Sequence, residues 1–145
     1  MWMIVHTLSG GALGAVLGVW AGLPGWVVVL VALAAHALLD LVPHWDYTDD
    51  RRRVLWALLD LGISVAAAGL GWRQLGLPPV VLAAAAASAA PDLDVVDVLL
   101  PFRRSLRVFP SHWNAFPHGH CRRGPGVAVQ AVVAGFCILV VSGLR

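Results

Sequence analysis

His36 and Asp40 stand four residues apart, inside the run His36-x-x-x-Asp40-x-x-Pro43-His44-x-Asp46. In an α-helix such a pair shares one face, so an imidazole nitrogen and a carboxylate oxygen can hold one cation between them. Past Pro43 the helix ends, and His44 and Asp46 can close back over the same place. A second acidic exit follows Pro91 in Pro91-Asp92-Leu93-Asp94, and a late loop carries His112, His118 and His120. His6 and Asp60 each sit near the start of an apolar segment. The chain has six histidines and eight aspartates, and all of them fall at one end of its apolar segments.

Mixed imidazole and carboxylate ligands suit zinc first, then manganese or iron, whereas calcium and magnesium prefer all-oxygen shells. The expected metal ligands are His6, His36, Asp40, His44, Asp46, Asp60, Asp92, Asp94 and His112 or His118, enough for one or two ions. A metal with an open position lowers the pKa of its bound water toward neutrality and supplies hydroxide for attack on an acyl or phosphoryl centre. A spare aspartate, Asp46 or Asp94, would take the proton.

The elements that must position these residues are membrane helices. The 145 residues are 59% hydrophobic and 12% charged, with a mean hydropathy of +0.80, whereas about a quarter of the residues of a soluble domain are charged. Five apolar segments recur, at Met3–Ala21, Gly25–Val42, Val54–Gly71, Pro79–Leu100 and Gly126–Leu144, against the ~20 residues that span a bilayer. Pro91 and three aspartates interrupt the fourth. The fold class expected is a single all-α domain over 1–145, a bundle of about five transmembrane helices. The first segment lacks a basic residue before its apolar run and carries His6, so it reads as a span rather than a signal peptide.

Tryptophans favour the membrane–water interface, and here they flank the segments: Trp2, Trp45, Trp56 and Trp113 at the histidine-bearing end, Trp20, Trp26 and Trp72 at the other. Arg51, Arg52, Arg53, Arg103, Arg104, Arg107, Arg122 and Arg123 lie at the histidine-bearing end, against Arg73 and Arg145 opposite. By the positive-inside rule that end is cytoplasmic, which puts the N-terminus inside and the metal site at the cytoplasmic face of an inner membrane.

Depth supports the grouping. At 1.5 Å rise per residue, His36 lies ~9 Å before Val42, Asp60 ~9 Å past Val54 and His6 ~8 Å past Met1. Each lone aspartate at the centre of a span costs about 2.5–3.5 kcal/mol, so several at one level imply a bound cation. Simpler roles fit other residues. Asp49 and Asp50 beside three arginines read as solvated loop charges, and Asp97 as an interfacial charge. Gly10, Gly11, Gly14 and Gly18 form a stripe that lets two helices approach closely. The loop arginines are topology determinants that can also hold an anionic lipid head, and no nucleic-acid recognition fold accompanies them. Cys121 in the late loop and Cys137 in the last segment are too far apart in topology to pair.

These residues resemble the membrane-bound metal-dependent hydrolases of bacterial and archaeal inner membranes, often called YdjM-like. The resemblance rests on His6-Thr7 before a glycine-rich helix, on the His36 to Asp46 run, on Pro91-Asp92-Leu93-Asp94 and on a late histidine-bearing loop. That loop departs from the family pattern of a histidine beside an arginine followed by Thr-His-Ser, having His112-Trp113 and Pro117-His118-Gly119-His120 instead. The helical His/Asp pair is also similar to ligand pairs in zinc-dependent phospholipase C. What the resemblance implies is a membrane-embedded hydrolase of an ester or phosphoester, with a lipid or lipid-linked substrate. Two other classes stay open: a metal or proton transporter, whose polar residues would be spread across the whole thickness, and a non-catalytic membrane protein whose metal ties helices together.

Overall fold

The computed structural model describes residues 1–98, 108–113 and 115–144, with the backbone alone for 95–98. The side chain of Asp97, the end of the fourth apolar segment at Leu100 and Arg103, Arg104, Arg107 and Arg145 lie outside the described residues. The described chain is all-helical, without a β-strand. It comprises α1 (Met3–Leu13, continuing as a π-helical stretch Gly14–Trp20), α2 (Gly25–Asp40), α3 (Arg53–Leu75), α4 (Pro79–Ala89) and α5 (Arg123–Ser142), with 3-10 segments at Ala90–Val98 and Pro110–His112.

Three of these helices are long and apolar enough to cross a membrane: Met3–Trp20, Arg53–Leu75 and Arg123–Ser142. The expected second and fourth segments come out shorter. α2 ends at Asp40, ahead of Pro43, and α4 ends after 11 residues. Pro91 has no N–H for the next helical bond and its ring crowds the preceding turn, so the chain tightens into the 3-10 segment. Ala90, just before it, stays in the right-handed helical region, so the chain narrows there without turning extended.

Helix α1 is the hub, touching α2, α3, α4 and α5. The glycine stripe explains its closest contact. A Cβ on Gly10 would collide with the Ala84 carbonyl, one on Gly14 with the backbone of Val81 and one on Gly18 with the Val80 side chain. All three lie against α4, as small residues at a membrane-helix interface do. Gly11 has only ordinary contacts. The apolar core here is small, made of Val28, Ala32 and Ala84 with Leu13, Leu17, Val80 and Ala87 around them. Large apolar side chains point outward instead, Trp26, Leu38, Val132, Phe136 and Leu139 among them. The bulkiest fully buried side chains are His6, His36 and His44.

Tryptophans sit at both ends. Trp2, Trp45 and Trp56 gather, with ring centroids 5.9–6.4 Å apart, and the Arg123 guanidinium lies 4.9 Å from the Trp45 centroid. Trp20, Trp26 and Trp72 are exposed at the far end.

Candidate metal centre

Helix geometry brings His36 Nε2 within 3.2 Å of Asp40 Oδ2 on one face of α2. The other ring nitrogen fixes the tautomer: a carbonyl can only accept, so His36 Nδ1–H donates to the Ser88 carbonyl at 2.8 Å. Nε2 faces Asp40, and in the neutral ring its lone pair is free for a cation, the arrangement by which a backbone carbonyl orients a ligating histidine. From α1, His6 Nε2 reaches the other oxygen, Oδ1 of Asp40, at 3.2 Å, and its ring stacks on His36 with centroids 3.9 Å apart. The Met1 amine lies 3.0 Å from the same oxygen. Asp40 is thus the meeting point of two helices, and it is almost completely buried.

The late loop closes the other side. His112 Nε2 lies 3.4 Å from His36 Nε2 and 3.9 Å from Asp40 Oδ2. His118 Nε2 lies 3.8 Å from that same oxygen. Asp92, from the 3-10 segment, brings Oδ1 to 4.0 Å of His112 Nε2. His6, His36 and Asp40 each offer a ligand atom within 4.8 Å of the others, and so do His36, Asp92 and His112. These residues form a buried group that can hold a metal ion. Ligand atoms ~2.1 Å from one tetrahedral ion sit roughly 3–3.5 Å apart, the spacing seen around Asp40 and His36. Both groups draw on His36, whose Nδ1 is committed to Ser88, so its single free nitrogen serves one ion.

Leftover polar atoms point the same way. Both ring nitrogens of His6, Nε2 of His44, Oγ of Ser88 and Oδ2 of Asp92 are buried without a hydrogen bond among the described residues. Buried polar groups are ordinarily satisfied, and on His6, which faces Asp40, a cation would meet such an unsatisfied nitrogen.

The remaining sequence candidates take other positions. Asp60 caps α1 from α3, accepting from the amides of Met3 at 2.7 Å and Ile4 at 2.9 Å and from the Tyr47 hydroxyl at 3.1 Å. Both its oxygens are engaged there, so it holds His6 in place instead of joining the cluster. The sequence held a signal for this: α1 has no side-chain cap of its own, and its free amides need an acceptor. Asp94 stands behind His112, 3.4 Å from Nδ1, and also accepts from the Phe109 amide at 3.0 Å. Asp46 lies away from the cluster, with Oδ2 3.5 Å from His120 Nδ1 and Oδ1 accepting from the Thr48 amide and hydroxyl. His44 donates from Nδ1 to the Val42 carbonyl at 2.7 Å. Of the three late histidines, His112 and His118 approach Asp40, and His120 does not.

Burial pushes the imidazoles of His44 and His112 below the ordinary histidine value, which keeps both neutral and able to ligate near pH 7. Burial alone would raise the Asp46 carboxyl, and the Thr48 hydroxyl and amide outweigh it, holding the group ionised below the usual range. Burial and the Asp60 charge push the Tyr47 hydroxyl up, so it stays a donor to that carboxylate.

Residues without ligand chemistry do much of the positioning, and sequence reading passed over them. Gly119 N–H donates to the Asp40 carbonyl at 2.9 Å, and its own carbonyl accepts from the His44 amide at 2.9 Å. Cys121 N–H donates to the His44 carbonyl at 3.0 Å, completing a parallel bridge between His44 and His120. A side chain on Gly119 would strike the Leu41 and Val42 carbonyls, so a glycine is needed for the loop to lie against the exit of α2. Gln130 of α5 accepts from the Trp2 amide at 2.9 Å and donates to the Trp45 carbonyl at 2.9 Å. A lone glutamine in an apolar helix was the available signal. Cys121 and Cys137 are both free thiols.

Comparison with protein-family models, with curated proteins and with solved structures finds no match to this chain.

Proposed function

We propose that this protein is a membrane-embedded, metal-dependent hydrolase of an ester or phosphoester, acting on a lipid or lipid-linked substrate at the cytoplasmic face of an inner membrane. One observation carries the reading: a buried carboxylate, Asp40, with the imidazoles of His6 and His36 at 3.2 Å and those of His112 and His118 closing in from a loop. Part of the shell comes from a loop, and an open coordination position at the ion would suit catalysis. Zinc suits the donor set best, and manganese or iron are next.

The chain's own residues define the rest of the chemistry. A divalent metal held by His6, His36 and Asp40, with His112 or His118, would supply an activated water. Asp92 is the best-placed proton acceptor, because Oδ1 borders the cluster while Oδ2 is buried and unpartnered. Asp94 orients His112 from behind. The outward-facing apolar side chains support a lipid environment around the three helices long enough to cross it. With the arginines of the 51–53 and 122–123 loops at the cluster end, the positive-inside rule puts that end in the cytoplasm. The likeness to YdjM-like hydrolases belongs to this proposal and rests on the same residues.

The test compares purified wild type with Asp40→Ala. Wild type should retain about one equivalent of metal and turn over at least one member of a phospholipid and phosphoester panel. Asp40→Ala should lose both, with metal affinity reduced more than the ~10–100-fold typical of residues behind the ligands. Wild type without stoichiometric metal after reconstitution would falsify the proposal. Metal needed only for thermal stability would make the site structural, and metal-dependent uptake into liposomes would make the protein a transporter.

A further inference from the structure

The two oxygens of Asp40 face different partners. Oδ1 lies 3.2 Å from His6 Nε2, while Oδ2 lies 3.2 Å from His36 Nε2 and is also the oxygen the loop approaches, with His112 Nε2 at 3.9 Å and His118 Nε2 at 3.8 Å. Beyond His112 stands Asp92, whose Oδ1 is 4.0 Å from the same nitrogen. His36, Asp92 and His112 bring three ligand atoms within 4.8 Å of one another, as His6, His36 and Asp40 do. These two groups share only His36. Given to the first group, its one ligating nitrogen leaves Asp40 Oδ2, Asp92 Oδ1, His112 Nε2 and His118 Nε2 as a second set of four donors.

Both loop imidazoles are oriented for an ion. His118 Nδ1–H donates to the Phe116 carbonyl at 3.3 Å, and His112 Nδ1 faces Asp94 Oδ2 at 3.4 Å, so each presents Nε2 to Asp40. Asp92 is the independent sign. Its side chain is only 8% exposed, its Oδ2 is buried without a hydrogen bond among the described residues, and its Oδ1 is too far from His112 for one. A buried carboxylate without a counter-charge is costly, and a cation among these four donors removes that cost. Around a five- or six-coordinate ion with bonds of ~2.2 Å, donors lie roughly 3.1 Å apart when adjacent and 4.4 Å when opposite. The 3.8–4.0 Å spacings of the second set fall between those limits, and they are wider than the 3.2 Å spacings around Asp40 in the first.

We infer that Asp40 bridges two divalent ions, the first held by His6, His36 and Oδ1 and the second by Oδ2, Asp92, His112 and His118, and that the pair acts on a phosphoester and not on a carboxylic ester. The inference rests on reading the Asp40 centre as a metal site. Two ions about 3.5–4 Å apart engage both the attacking and the leaving oxygen of an in-line displacement at phosphorus. Charge gives the same preference. Two divalent ions outweigh the carboxylates of Asp40, Asp92 and Asp94 together, and the excess suits an anionic phosphoryl group over a neutral carboxylic ester. In that reaction the oxygen of a water bonds to phosphorus as the bond from phosphorus to the leaving alcohol oxygen breaks. Asp92 Oδ2 accepts the proton that the water gives up and returns it to the leaving oxygen. The wider spacing makes the second ion the weaker-held, so the first is the one retained on purification.

The experiment titrates metal-stripped full-length protein in detergent with Mn²⁺, followed by electron paramagnetic resonance and by turnover of phosphoester and carboxylic ester lipids. Wild type should bind two equivalents in two steps, the second replacing the isolated-ion signal with that of an exchange-coupled pair, and phosphoester turnover should appear on the second step. Asp92→Asn, which keeps the shape, should stop at one equivalent with the first step unchanged. His118→Ala, at a partly exposed position outside the helices, should weaken the second step by more than the ~10-fold that an orienting partner costs and spare the first. Wild type that saturates with one uncoupled ion overturns the second site and leaves the single-metal reading standing. Two equivalents in Asp92→Asn overturn the ligand assignment. Phosphoester turnover complete after the first step, or absent after the second, overturns the pair's role, as does turnover of carboxylic esters alone. Wild type that binds no Mn²⁺ overturns the pair, and if it binds no Zn²⁺ either, the Asp40 centre falls with it.

Discussion

The candidate centre has two halves built in different ways. His6, His36 and Asp40 project from helices and are nearly or wholly inaccessible to solvent, whereas His112, His118 and His120 come from a loop and become steadily more exposed. The helical half is held by the close approach of α1 to α4, by the Asp60 cap on α1 and by the Ser88 carbonyl behind His36. The loop half is held by a few backbone hydrogen bonds, chiefly Gly119 to Asp40 and His44 to Gly119. Helix packing fixes the first half, whereas the second depends on those few backbone hydrogen bonds.

The contrast can be broken most forcefully at Gly14. A Cβ there falls 2.6 Å from the Val81 Cα and 3.1 Å from the Ala84 Cβ, so Gly14→Leu must push α1 away from α4. Overpacking of this kind costs about 1–3 kcal/mol, and displacement of His6 should remove tight metal binding as well. Thermal unfolding with and without metal checks this, and Gly69→Ala, where nothing lies within 4 Å, should leave both quantities near wild type. Gly119→Val should separate the halves: helical circular dichroism and apo stability stay close to wild type, while metal affinity by calorimetry falls ~10–100-fold as His112 and His118 lose their positions. An equal loss of apo stability in both variants would mean that the loop is part of the bundle's core.

Smaller effects sharpen the same division. Asp94→Asn keeps a group behind His112 but removes its charge, so metal affinity should fall toward ~10-fold, the lower end of the range for orienting partners. Acidification should act on the buried neutral histidines outside the helices and, in the opposite sense, on Asp92, whose carboxyl burial pushes up to about 7. His44 and His112 have folded pKa values below the ordinary 6.5, so the unfolded chain takes up protons first as pH falls. Their contribution to apo stability is complete above about 6.5 and is lost as pH drops from there toward the folded values. Denaturant midpoints measured from pH 7.5 to 5 for wild type and His112→Asn isolate this part, and the gap between the two should narrow as pH falls through that window. A gap that stays constant would show that the His112 ring is not buried in its neutral form.

The sequence made the cluster's core legible because its signals are local. The i, i+4 spacing of His36 and Asp40 brings the two side chains together on one face in any helix, and matched depth correctly brought His6 to their level. The glycine stripe of α1 foretold a close helix contact, and α4 proved to be its partner. Matched depth also proposed Asp60, and there it was insufficient: two carboxylates at one level can face a cation or a helix N-terminus, and only the azimuth of α3 against α1 decides which. Five apolar segments were likewise readable, whereas the truncation of α2 and α4 depended on where each prolyl exit tightened the chain.

Composition, hydropathy and short-range spacing by themselves determined that this is an all-helical chain with long apolar helices and its histidines and aspartates gathered at one end, because those properties follow from residue types and helical periodicity. Tertiary structure alone decided that His112 and His118 reach Asp40 while His120 and Asp46 form an outer pair, and that Asp60 serves as a cap. Those assignments depend on how a loop some 70 residues further along lies against the exit of α2. That placement is set by backbone hydrogen bonds and a close glycine contact between segments remote in sequence, for which no local pattern carries a code.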